Sequence, residues 1–211
     1  MSRRVYDNTR RAEQARLTRR RILDAARDLL IGRGPAVTMR EVAAHADVSV
    51  ETVRKVFGTK AALIKDVYDV TLAGDDEPIP MIDRPELRAV FTATGPEDKV
   101  ARYAHAARLI GERVGPLLAT LLAGARGGDP DLIRFRETTN RERMAGAGAI
   151  VNHLAGSGGL RAGLDPGKAS DVVWTLISPE VFDLLVSDRG WSPEDYERWL
   201  ARALTDALVT R

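Results

Sequence analysis

The side chains best equipped for chemistry crowd into one stretch, Thr38 to Lys60. Hydroxyls at Thr38, Ser49, Thr52 and Thr59 lie there with cations at Arg40, Arg54, Lys55 and Lys60. Such donors suit phosphate oxygens and the acceptor edges of bases. Lys55 can reach the acceptors of guanine and Val50 a thymine methyl, while Glu51 can accept from the amino group of cytosine. Ser49 and Thr52 can serve phosphate or base, and Thr38 and Arg40 are candidates for phosphate. Catalytic patterns are missing: the chain has no Gly-x-Ser-x-Gly, no Walker loop and no His-Glu-x-x-His. It has no cysteine, and its histidines, His45, His105 and His153, lie far apart with only weak carboxylate candidates at a metal-ligand spacing. The expectation is a binding protein with no catalytic residue, no metal and no cofactor.

The elements that must position these side chains are legible. Met39, Val42, Ala43 and Ala46 fall at i, i+3, i+4 and i+7, one apolar face of a helix. Thr38 with Glu41 three residues on is a capping box, a helix start. Asp47-Val48-Ser49 supplies a turn and a cap for a second helix, in which Val53 and Phe57 stack at i and i+4. The spacing predicts a helix-turn-helix: the first helix braces, and the second can enter a major groove with Val50, Glu51, Arg54 and Lys55 outward.

These residues resemble the DNA-binding segment of the TetR family of bacterial repressors. The match runs through Thr38, Val42, Ala43, Ala46, Val48, Ser49, Thr52, Val53, Phe57, Lys60 and Leu63. Asp47 stands where the family has a turn glycine, Arg54 replaces a phosphate-touching tyrosine, and Val56 replaces a histidine or tyrosine. Asp accepts left-handed backbone better than most residues, so the turn is expected to form. The resemblance implies that the helix starting at Thr59 and Lys60 touches phosphate. It also implies a homodimer with its recognition helices about 34–36 Å apart, and a body that holds a small-molecule cavity. Candidate lining residues are Tyr103, His105, Leu109, Leu118, Leu122, Phe135, Met144 and Trp174.

Charge is distributed as that reading requires. Across 211 residues the net charge is only +2, but residues 1–60 hold 14 Lys/Arg against 7 Asp/Glu and residues 61–211 hold 18 against 23. A basic head at +7 on an acidic body at −5 is the footprint of a chain that meets phosphates at one end. Arg3, Arg4, Arg10, Arg11, Arg16, Arg19 and Arg20 make the first twenty residues either a solvated tail or an arm lying on DNA. The longest uncharged run, 144–160, is cut by glycines, Asn152, His153 and Ser157, a poor membrane span. No apolar segment backs the basic amino end, which therefore does not read as a secretory signal. A cytoplasmic protein is expected.

The expected fold is all-α: a three-helix head, residues 1–59, and a helical effector-binding and dimerisation bundle, residues 60–211. Body helices are predicted near 84–92, 97–113, 116–125, 130–155, 167–188 and 193–210, most of them opened by a proline at the first helical position. Pro179 should kink or restart its helix. The last two helices carry more apolar surface than one core needs. Val181, Phe182, Leu185, Tyr196, Trp199, Leu200, Ala203 and Leu204 are therefore predicted to form a four-helix dimer interface. The function this points to is a ligand-responsive repressor that binds a palindromic duplex as a homodimer. The alternative is a small-molecule-binding or small-molecule-transforming protein with a vestigial head.

Overall fold

A computed structural model describes residues 2–209, with side chains from Arg10 onward. The chain divides into two compact units, one running to Asp76 and taking in Thr120–Ile133, the other comprising Glu77–Ala119 and everything from Arg134. The boundary expected at residue 59 thus falls inside the first unit, since the helix after it clusters with the head. The only β pairing among the described residues is an isolated bridge between Leu160 and Val209.

The first unit is built on α1 (Ser2–Arg33), α2 (Met39–His45), α3 (Val50–Phe57) and α4 (Lys60–Ala73). Ile22, Ala26 and Leu30 of α1 are buried with Val42, Val53, Leu63, Ile64 and Val67, so the four helices share one apolar centre. Helix α1 begins far earlier than its apolar stripe and runs antiparallel to α4. Its carboxyl end shares a small recess with Lys60, Leu63 and Ile64, Arg19 bonds Asp66 at 2.8 Å, and Arg16 and Arg20 reach Asp76 at 3.9 and 3.7 Å. Three of the seven arginines of the predicted arm are therefore paired with acids of their own unit. Arg10 and Arg11 are exposed, while the side chains of Arg3 and Arg4 lie outside the described residues.

The second unit contains a 3-10 turn (Met81–Asp83), α5 (Pro85–Thr92), most of α6 (Pro96–Arg126) and α7 (Pro130–Gly156), α8 (Pro166–Leu176), α9 (Pro179–Phe182) and α10 (Pro193–Leu208). Caps account for the starts: Asp165, Ser178 and Ser192 each accept from an N–H of the first turn of the helix they open. The predicted break at Pro116 does not occur, because α6 runs straight through it. Proline inside a helix costs about 3 kcal/mol, and burial of Leu117, Leu118 and Leu121 around it offsets that cost. Pro179 does restart the helix after Ser178, and a π-helical turn (Asp183–Asp188) comes directly after it.

That turn bears on the predicted dimer face. Phe182 sits flat against Gly111, where a Cβ would stand 2.6 Å from its ring, and meets Tyr196 edge-on with centroids 5.0 Å apart. With Leu200 and Leu204 these residues are buried in the core of the unit itself. The positions at 0, 4 and 8 of the last stripe therefore serve the protomer and not a partner. Val181, Leu185, Trp199 and Ala203 remain half-buried, and Leu184 (56% exposed), Val172 and Trp191 stand in solvent. A π turn inserts one extra residue per turn and rotates the chain beyond it, which leaves Leu184 outward while Phe182 is buried.

Glu86 opens α5 and binds Arg113 of α6 at 2.7 Å. The Arg113 guanidinium, helped by the backbone N–H of Glu86, holds this carboxyl below the ordinary carboxylate range against the opposing effect of burial. A depressed folded value gives stability that is present above about pH 4.5 and lost as pH falls through that depressed value. Urea midpoints taken from pH 6 to pH 3 should therefore fall less steeply for Glu86→Gln than for the natural chain. Parallel curves would mean that the pair contributes nothing.

Candidate nucleic-acid interface

The bracing helix α2 is fixed by the predicted capping box. The Thr38 N–H and hydroxyl both donate to Glu41 Oε2 at 2.8 Å, and Thr38 Oγ1 accepts from the Glu41 N–H at 3.2 Å. The backbone N–H of Thr38, and then its hydroxyl, hold the Glu41 carboxyl below its ordinary value. The hydroxyl proton of Thr38 is thus already used, and the outward cation at this helix end is Arg40, which is exposed. The turn then depends on Asp47, whose φ of 51° is the only positive value among the described non-glycine residues. Arg21 steadies it by donating to the Asp47 carbonyl at 3.4 Å.

The second helix, α3, is eight residues long, with Ser49 Oγ accepting from the Thr52 N–H at 3.1 Å. Ser49 Oγ and Thr52 Oγ1 are 3.0 Å apart, so the pair shares its hydroxyl protons and keeps one to offer outward. Val53 and Phe57 face inward and are buried. Arg19 lies over the Phe57 ring, 5.5 Å from its centroid, and clamps the inner face from outside the core. Ser49, Glu51, Arg54 and Lys55 are exposed and Val50 is half-exposed, the outward set the spacing predicts. Val56, 40% exposed, joins them. Only its departure from the family pattern marked it in the sequence, because a valine one residue from a buried phenylalanine reads as core.

At the start of α4, Thr59 Oγ1 accepts from the Ala62 N–H at 3.1 Å and is exposed. Its own O–H remains for an outside acceptor. Lys60 behaves otherwise. Its Nζ donates to the Pro35 carbonyl at 2.6 Å and is partly buried, so the structure holds it against its own unit and not out toward a phosphate. The caps also have energetic consequences. Ser49→Ala should destabilise the head by about 1 kcal/mol, read as a lower urea midpoint. An unchanged midpoint would show that the cap is idle.

The residues predicted to line an effector cavity scatter. Tyr103 and Trp174 both pack against the second unit's core. The Arg143 guanidinium lies 4.6 Å from the centre of the Trp174 ring. Burial pushes the Tyr103 phenol well above its ordinary value, against the pull of Arg143. The indole N–H of Trp174 and Nε2 of His153 are buried with no hydrogen-bond partner among the described residues. Leu109 lines a recess with room for little more than a water molecule, open to solvent and edged by Arg84, Glu86 and Arg113. Leu118, Leu122 and Phe135 are buried, and Met144 is half-buried beside Arg143 in sequence. His105 is exposed and meets Glu197 at 3.1 Å, so it lies on the surface instead of in a pocket.

An exposed, capped helix carrying cations, held by a braced partner across a tight turn, defines a helix-turn-helix DNA-binding head. With its helical body, the chain is of the transcription-regulator class and is not an enzyme. Residues 22–67 match the family described as bacterial regulatory proteins, tetR family. The chain is 28% identical over 171 residues to YdeS, an uncharacterized HTH-type transcriptional regulator of Bacillus subtilis (strain 168), covering 81% of this chain and 79% of that protein. Among solved structures it resembles the SmeT–triclosan complex (TM-score 0.69, 18% identity, 92% of each chain). It is also similar to NalD of Pseudomonas aeruginosa, the secondary repressor of the MexAB-OprM multidrug efflux pump (TM-score 0.66, 19% identity, 93% of this chain and 98% of that one). Residues 22–67 therefore carry the DNA-binding head of the TetR family of transcriptional regulators. No helix among the described residues is long and apolar enough to cross a membrane.

Proposed function

We propose that the chain is a repressor that binds a palindromic operator as a homodimer in the cytoplasm and is released by a small-molecule effector. The observation that carries this is the outward face of α3, where Val50, Glu51, Arg54, Lys55 and Val56 stand clear of the core on a helix capped by Ser49. Phosphate contacts come from Arg40, Arg54 and Thr59, and base contacts from Val50, Glu51 and Lys55. Pairing through the apolar surface left on α8, the π turn, the loop after it and α10 (Val172, Leu184, Trp191 and Trp199) supplies the two-fold axis that a palindrome requires. An effector is supported by analogy with SmeT, whose structure contains triclosan. It is supported too by the unsatisfied indole N–H of Trp174, since a buried donor without an acceptor costs about 1–3 kcal/mol that a ligand can recover.

In vitro selection from random duplexes, followed by mobility shift at several salt concentrations, tests the reading. A symmetric consensus and a steep salt dependence are expected. Failure to enrich any sequence, with no binding even in dilute buffer, would end it.

A further inference from the structure

Pro35, in the loop between α1 and α2, is held from two sides within the first unit. Its carbonyl accepts from Lys60 Nζ at 2.6 Å, which ties it to the first residue of α4. Its ring occupies the space beside Gly124 of α6. A Cβ on Gly124 would stand 2.8 Å from Pro35 Cγ and would overlap Leu132 Cδ1 of α7. Three residues beyond Pro35, Thr38 caps α2. The turn joining α6 to α7 therefore presses on a stiff ring that lies between the amino ends of α2 and α4, where Arg40 and Thr59 are exposed.

We infer that the Gly124–Pro35–Lys60 contact positions the phosphate-facing ends of α2 and α4, so that the α6–α7 turn sets the affinity for duplex DNA. This rests on the DNA-binding function proposed for α3. Packed interiors transmit displacement instead of absorbing it. The absence of a side chain at Gly124 lets the ring approach that closely, and the lysine carries the constraint on to α4. Gly124 and Leu132, at the end of α6 and the start of α7, belong to the first unit together with Pro35 and Lys60. Gly124, Pro35 and Lys60 are positioning residues and need not touch DNA.

The test uses the full chain and a duplex selected on it. Gly124→Ala should weaken binding about tenfold without changing the slope of log affinity against log salt, because no phosphate contact is lost. Amide exchange at residues 39–42 and 60–63 should quicken. Lys60→Met leaves the α6–α7 turn intact and should give a similar loss, again at constant slope. Natural affinity in both single variants would overturn the inference. So would a slope flattened by about 1.8 for Lys60→Met, one phosphate in each half-site, since Lys60 would then be a DNA ligand. If Gly124→Ala proves too unstable to assay, Lys60→Met decides alone. A natural chain that binds no duplex would instead remove the DNA-binding function itself.

Discussion

Alanine at both Arg54 and Lys55 should reduce operator affinity by at least a hundredfold while leaving the fold intact. Both side chains are exposed, at positions where α3 buries only Val53 and Phe57, so their removal opens no cavity. The two replacements are expected to act differently. Arg54 takes the place of a phosphate-touching tyrosine, and a dimer presents it twice. Arg54→Ala should therefore weaken binding to all sequences and flatten the salt slope by about 1.8, at about 0.9 per phosphate contact. Lys55 is assigned to guanine acceptors, where a good contact discriminates by about 1–3 kcal/mol against the wrong base. Lys55→Ala should relax preference at one symmetric pair of positions and change the slope little. Repeating the duplex selection with each variant separates the roles. An unchanged consensus for Lys55→Ala would remove it from direct readout, and an unchanged slope for Arg54→Ala would remove it from the backbone.

Sequence patterns proved most informative where structure is decided locally. The box between Thr38 and Glu41, the cap at Ser49 and the left-handed Asp47 each depend on residues within three or four positions of one another, and each forms as spacing predicts. The opening prolines of α5, α7, α8 and α10 obey the same logic. Features that could not be read depend on contacts between distant segments. Pro116 looks like a helix start because local chemistry says so, yet burial of its leucine neighbours decides otherwise. Lys60 looks like a phosphate ligand until Pro35, 25 residues away, takes its ammonium. Arg16, Arg19 and Arg20 look like an arm for DNA until Asp66 and Asp76 pair with them. The choice between core and interface for Tyr196 and Leu200 was beyond periodicity, because both uses call for the same residue types on one stripe.

Leu184→Glu should convert the chain to a monomer and, with it, abolish tight operator binding. Leu184 is the most exposed large apolar side chain among the described residues, and it stands on the π turn between half-buried Val181 and Leu185. More than half of its surface is open in the protomer, so a carboxylate there costs little in the isolated subunit. In a paired subunit the same carboxylate would be held against the partner's apolar face and must lose water there without a counter-charge. A single head then reaches only one half-site. Affinity should fall from the specific range, about 10⁻⁸–10⁻¹¹ M, toward the non-specific one, about 10⁻⁴–10⁻⁶ M. Sedimentation at micromolar concentration reads the first effect and mobility shift the second, while the thermal midpoint of the monomer reports whether folding survives. Leu200→Ala is the informative contrast. Leu200 is fully buried in the protomer core, so its truncation should cost about 2–5 kcal/mol of stability and affect pairing only through that loss. If Leu184→Glu remains a dimer and binds as before, the two-fold contact lies elsewhere on the body, and the exposed apolar face of α8, the π turn and α10 requires another occupant.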